Sequence, residues 1–227
     1  MTSAVLVGQL SVLRGPSTVL SGLNLDIAAG EVVAVRGASG SGKSSLLAAL
    51  AGLVPSDEGT IVVAGHQMND RSDRARSKIR LQSMGLVFQR DELLPELTIG
   101  ENVGLPSRIL RRSPQETAAR VGALLEALKI AELHDRLPSQ ISGGQLQRAA
   151  IARAMVNNPQ VVLADEPTAS LDSGAARSAI QLLVETVRER NAAAVVVTHD
   201  PEIARRCDRL VELHGGALTS VERQVGR

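Results

Sequence analysis

Apolar positions along the chain fall into two patterns. Short β-rich runs recur at Val5–Val7, Val32–Val35, Ile61–Val63, Gly85–Phe88, Val161–Ala164, Ala194–Thr198 and Leu210–Leu213. Several are continuous Val, Ile, Leu and Ala rather than alternating, the pattern of strands buried on both faces of a parallel sheet. Helical stretches lie between them. One starts at Lys43 and runs through SSLLAALAGL. One starts near Gln115, where Ser113-Pro114-Gln115-Glu116 predicts a capping box with Pro at the first helical position. A third follows Ser142, with Gln145 placed for a second capping box. A long one covers roughly Ala175–Arg190.

From Arg90 to Asn157 the strand signal disappears and helical patterns dominate. That predicts a helical subdomain, residues 90–157, inserted into an α/β core formed by residues 1–89 and 158–227. The 227 residues suit one such domain. The Arg-rich stretch Arg71–Arg80 is interrupted by Asp73 and reads as a solvated helix face.

Composition changes the picture in one respect. Hydrophobic residues make up 44%, enough for a real core, but Trp and Tyr are absent and Phe88 is the single aromatic. The core must be aliphatic, and no site can stack a base on a Tyr or Trp ring. A single-strand nucleic-acid groove is disfavoured on that ground. The net charge of +1 also gives no electrostatic footprint for DNA. The lone Cys207 excludes an internal disulfide. Cys207 and the four His show no metal-ligand spacing. No apolar run approaches the ~20 residues of a membrane span, and the N-terminal stretch lacks the pattern of a signal peptide. A cytoplasmic protein is expected.

Two motifs carry phosphate chemistry. Gly37-Ala38-Ser39-Gly40-Ser41-Gly42-Lys43-Ser44 fits G-x-x-x-x-G-K-[ST], with an apolar strand before it and a helix after it. Its glycines let consecutive N–H groups surround a polyphosphate, and the helix that continues through Ser45 points its positive end at the same anion. Lys43 supplies a mobile charge for the β- and γ-phosphates, and the Ser44 hydroxyl can ligate Mg²⁺. The second motif is the apolar run Val161–Ala164 ending in Asp165-Glu166. Asp165 suits Mg²⁺, directly or through water. Glu166 is placed to take a proton from, or orient, an attacking water.

A phosphate loop alone leaves GTPases, kinases, helicases and transporters open. Ser142-Gly143-Gly144-Gln145 followed by LQRAAIARA resembles the signature of ATP-binding cassette (ABC) ATPases, with Ile141 where Leu is usual. Gln89, ending GLVFQ, resembles the Q-loop glutamine. Ser170-Leu171-Asp172 resembles the D-loop, and His199 the switch histidine. The resemblance covers nearly the whole chain. It implies a P-loop NTPase core with a small antiparallel β subdomain and the inserted helices, and ATP and Mg²⁺ as ligands. It also implies a head-to-tail dimer in which Ser142 and Gly144 of one copy face the γ-phosphate held by the other. In such a site Glu166 acts as base, His199 contacts the γ-phosphate, Gln89 touches Mg²⁺ or the lytic water, and Asp172 couples the two sites.

The stretch Leu93-Leu94-Pro95-Glu96-Leu97-Thr98 followed by Glu101-Asn102-Val103 is similar to that of lipoprotein-release, macrolide-export and cell-division (FtsE-type) ATPases. So is Asn157-Asn158-Pro159 ahead of the acidic pair. The resemblance implies a separate FtsX/MacB-like membrane permease as partner, a second copy or paralogue of the ATPase, and no nucleic acid. The ATPase would sit on the inner face of the membrane through that permease. An amino-acid-type importer and a regulator of cell-wall hydrolysis remain as alternatives. The segment Arg90–Leu97 is expected to dock the permease. One position departs from the family: where an aromatic ring usually stacks on adenine, this chain has Arg14. A guanidinium plane can lie over a base, and pointing to solvent is the competing reading.

Overall fold

The computed structural model describes residues 3–88, 93–169 and 171–223. Two sheets and seven α-helices are present among them. The chain opens with a hairpin, β1 (Ser3–Arg14) and β2 (Ser17–Ala28), and continues into β3 (Val32–Arg36). Helix α1 (Lys43–Leu50) follows β3 directly across the glycine-rich loop. Then come β4 (Glu58–Val63), β5 (His66–Gln67), α2 (Asp73–Ser83) and β6 (Met84–Val87). Three helices follow, α3 (Ile99–Ile109), α4 (Pro114–Ala127) and α5 (Gly143–Met155). The chain closes with β7 (Val161–Asp165), α6 (Ser173–Glu189), β8 (Ala193–Val197), α7 (Pro201–Ala204), β9 (Arg209–His214) and β10 (Ala217–Arg223).

The larger sheet has the order β10-β9-β3-β8-β7-β6, parallel except for β10, which pairs antiparallel with β9. The smaller sheet, β2-β1-β4-β5, is antiparallel throughout. This is the α/β architecture with a small antiparallel sheet that the sequence predicts. The central strands explain themselves: all five residues of β8 are buried, as are Val32–Val35 and Val161–Ala164. Val, Ala and Leu there cover both faces, and helices must pack on each. Alternate residues divide between two apolar cores. Val33 and Val35 face the core shared with α1 and the small sheet. Val32 and Ala34 face the core shared with α3 to α6.

Several helix starts follow their sequence signals. Ser142 and Gln145 form a complete capping box at α5. Ser113 accepts from the Glu116 N–H at 3.1 Å and Pro114 occupies the first turn of α4. The reciprocal half of that box is not made. Glu116 Oε1 instead takes Arg112 at 2.7 Å and Arg120 at 3.2 Å, because two guanidiniums one turn to either side outbid a single amide.

Candidate functional site

The loop between β3 and α1 is where backbone geometry and sequence meet. Gly40 and Gly42 have φ of 79° and 103°, a region open to glycine and strained for other residues. At Gly42 a Cβ would also lie 2.9 Å from both the Val19 carbonyl oxygen and Leu20 Cδ2. The hairpin strand β2 is thus seated directly on the loop. Gly42 caps α1 without any side-chain acceptor, so the first N–H groups of the helix are directed at the loop, an arrangement suited to an anion. Lys43 Nζ donates to the carbonyl oxygens of Gly37 and Ala38, each at 2.8 Å. An ammonium has three donors, so one remains beyond the two that fix it over the loop.

A cleft of about 590 Å³ opens above this loop, within the size range of small-molecule sites. Gly37, Ser39, Gly40 and Gly42 line its floor, with Lys43, Ser44 and Ser45 at the helix start. Ser41 does not line it: its side chain is buried beneath the loop, where a Cβ on Gly37 would lie 2.5 Å from the Ser41 hydroxyl. Asp165, Glu166 and His199 line the opposite wall. They arrive there because β7 and β8 are adjacent and parallel, so the residues just past each strand emerge at the same carboxyl edge.

Glu166 has φ 45°, a left-handed backbone in a non-glycine residue. Such strain costs of order 1–3 kcal/mol and persists where surrounding structure imposes it. Here the Glu166 N–H donates to the Val197 carbonyl at 3.0 Å, tying the turn to β8. The carboxylate is thereby brought to His199: Nδ1 and Oε2 are 2.9 Å apart. Arg14 and Val19, from the β1–β2 hairpin, line the same cleft. Sequence spacing alone could not show that the hairpin reaches this loop.

Ser142, Gly143, Gly144, Gln145 and Asp172 lie outside the cleft of their own chain. They gather elsewhere, with the N-termini of α5 and α6 side by side. A Cβ on Gly144 would lie 3.3 Å from the Ala175 Cβ, and one on Gly143 would lie 3.6 Å from Leu171. Ser142 is exposed, and its hydroxyl accepts from the Gln145 N–H at 3.4 Å while Gln145 Oε1 accepts from the Ser142 N–H at 2.9 Å. Asp172 caps α6, accepting from the Gly174 and Ala175 N–H groups at 2.9 and 3.0 Å. Those two bonds hold its carboxyl below the usual aspartate range. Gln89 and Ser170, singled out in the sequence, lie outside the described residues.

Asn102 is a residue that motif reading left without a role. It is fully buried on α3. Its Oδ1 accepts from the Leu94 N–H at 2.7 Å, and its Nδ2 lies 3.0 Å from the carbonyl oxygens of Leu94, Leu97 and Thr98. It locks the Leu-Leu-Pro segment onto the helix. Leu94 is 43% exposed, whereas Leu93 packs against the core. Of the two leucines, it is Leu94 that faces outward, beside the exposed Pro95.

Comparisons with known proteins agree with this geometry. A family model described as ABC transporter matches residues 20–169. The chain is 45% identical over 204 residues to a lipoprotein-releasing system ATP-binding protein, LolD 2, of Caulobacter vibrioides, covering 90% of each chain. It is 45% identical over 200 residues to LolD of Xanthomonas oryzae pv. oryzae, covering 88% of this chain and 82% of the relative. Among solved structures, a dimeric post-hydrolysis state of the ATP-binding cassette MJ0796, bound to ADP and Pi, aligns with a TM-score of 0.87 at 37% identity. That alignment covers 98% of this chain and 100% of that one. CbiO1 of Clostridium perfringens, part of the ABC transporter complex cbiONQ, aligns with a TM-score of 0.90 at 28% identity, covering 99% and 90%. The chain therefore belongs to the family of ABC transporter ATP-binding cassettes.

Proposed function

We propose that this chain is the ATP-hydrolysing subunit of a lipoprotein-release-type ABC transporter, working on a separate FtsX/MacB-like permease. The observation that carries the chemistry is the cleft in which Lys43 and the glycine loop face Asp165, Glu166 and His199. Polyphosphate sits against the loop N–H groups and Lys43, and Glu166 accepts a proton from the attacking water. His199 orients Glu166 and meets the γ-phosphate. Catalysis by such a site is mainly positioning and charge stabilisation.

The donor set suits Mg²⁺. The Ser44 hydroxyl and the Asp165 carboxylate are hard oxygen donors lining one cleft, and Mg²⁺ takes few protein ligands beside phosphate oxygens and water. When bound, the ion neutralises charge on the phosphate oxygens. Gln89 completes this reading as a further Mg²⁺ or water contact.

One chain supplies one phosphate cradle and, on a different face, a second exposed helix N-terminus at Ser142-Gly143-Gly144. Neither is redundant if two copies pair head to tail, so that Ser142 and Gly144 of one close the cleft of the other, with Asp172 between the sites. The permease assignment rests on the LolD relatives and on the Leu-Leu-Pro segment that Asn102 holds at the surface. Residues 90–157 form the part that transmits the nucleotide state, with the remainder as the core. Among the described residues no helix is long and apolar enough to cross a membrane, so membrane attachment at the inner face is through the partner. The test is co-purification from solubilised membranes. An FtsX/MacB-like permease recovered with the chain supports the reading; an importer permease with a solute-binding protein contradicts the lipoprotein-release assignment.

A further inference from the structure

We infer that the base end of the cleft is formed by Arg14 and Val19, and that this end accepts guanine as readily as adenine. The inference rests on the nucleotide-binding reading above and concerns the base that the site admits.

The phosphate end of the cleft is fixed by the glycine loop and Lys43, so the base must lie away from it, toward the hairpin. Arg14 is the last residue of β1 and pairs with Ser17 across the turn at Gly15-Pro16. In the alternation of β1, Leu10, Val12 and Arg14 share a face, and Leu10 and Val12 are buried. Arg14 therefore continues the core-facing row past the edge of the core, where it lines the cleft instead. The neighbouring strand β2 is fixed in place. Strand β2 touches the phosphate loop at Gly42, and a Cβ on Gly216, in the β9–β10 turn, would lie 2.6 Å from the Val19 carbonyl. The Ser21 N–H also donates to the Gly216 carbonyl at 2.9 Å. The hairpin is held from both sides.

The chemistry of this end is unusual for a base. Trp and Tyr are absent, the single Phe, Phe88, does not line the cleft, and the imidazole that does, His199, stands beside Glu166. A planar guanidinium and an isopropyl group are left as the platform, and stacking on such a surface does not distinguish bases, since each has a π-face. Among the described lining residues, Asp165 and Glu166 are the side-chain carboxylates and stand at the phosphate end, and no Asn or Gln lines the cleft. Among the described lining residues, no side-chain carboxylate or amide at the base end is placed to accept a hydrogen bond from the adenine amino group. Arg14 can only donate, which suits N7 of either purine and O6 of guanine. A site lacking a matched hydrogen-bonding group discriminates weakly.

Titration calorimetry with ADP, GDP and inorganic tripolyphosphate tests this without turnover. The wild-type chain is expected to bind ADP and GDP within about tenfold of each other, because the platform is stacking rather than reading. Arg14→Ala should weaken both about fivefold to thirtyfold, the scale of a guanidinium–ring contact, and leave tripolyphosphate unchanged. Arg14→Tyr should restore binding of both, and Arg14→Lys, which keeps charge without the plane, should not. Unchanged affinities in Arg14→Ala, full affinity in Arg14→Lys, or a preference for ADP above about a hundredfold in the wild type would overturn the inference. Failure of the wild type to bind tripolyphosphate or hydrolyse ATP would instead sink the functional reading itself.

Discussion

Nδ1 of His199 lies 2.9 Å from Oε2 of Glu166, across the carboxyl ends of the neighbouring parallel strands β8 and β7. The two side chains form one unit before any nucleotide is considered. If Glu166 is the base and His199 orients it, removing either disables the same step. Glu166→Gln should lower kcat by about 10²–10⁴-fold, the range for a positioned general base. The Glu166→Gln/His199→Ala double variant should lose far less than the product of the two single losses, because residues in direct contact are not additive. Steady-state ATPase kinetics of the four proteins decide it. Multiplicative losses would mean the two act independently.

Two glycines of the phosphate loop separate backbone strain from steric clash. Gly40 has φ 79° with open space around a Cβ, whereas Gly42 has φ 103° with the Val19 carbonyl and Leu20 in the way. Gly40→Ala should cost about 1–2 kcal/mol, the usual cost of a left-handed backbone for an L-residue. Gly42→Ala should cost more, since the clash partner includes backbone that cannot swing aside. Thermal melts without nucleotide should rank Gly42→Ala below Gly40→Ala below wild type.

Ser142 has two jobs in this account, and a charge separates them. As N-cap of α5 it can be replaced by Asp, which caps as well. Facing a γ-phosphate across a dimer, a carboxylate repels. Ser142→Asp should therefore keep a Tm close to wild type while losing ATP hydrolysis. Ser142→Ala should lose about 0.5–2 kcal/mol of stability through the missing cap. An active Ser142→Asp protein would show that the serine is only a cap.

Cys207 should be chemically silent in the native protein. It is buried, and burial foremost, then the neighbouring Asp208 carboxylate, pushes its thiol up to about 12. The thiolate is the reactive form, and it is scarce at pH 8. An aromatic disulfide reagent should label one thiol per chain in urea and essentially none in native buffer. Rapid native labelling would contradict the burial.

The buried parallel strands were legible in sequence to within one or two residues, because continuous Val and Ala runs such as Ala194–Thr198 have no competing reading. Strand β2 was not. Its solvent-facing Ser21, Gly22 and Asn24 dilute the alternation, and it is defined by pairing with β1, which is distant information. β1 itself extends well beyond Val5–Val7 because Gln9, at φ 51°, bends the strand without ending it. The phosphate loop could be read because its residues are contiguous. The meeting of Glu166 with His199, and of Arg14 with the loop, depends on strand order and on the close approach at Gly42. The buried role of Asn102 was equally hidden, since a lone Asn in a helical stretch carries no sign of what it will hold.

The central claim is that ATP closes two copies of this chain around shared sites. It is tested most directly by the mass of the Glu166→Gln protein in solution, measured by light scattering with and without ATP and Mg²⁺. The account predicts a monomer alone and a dimer with ATP, reversed by Ser142→Asp in the same background. A protein that binds ATP tightly yet remains monomeric would contradict it.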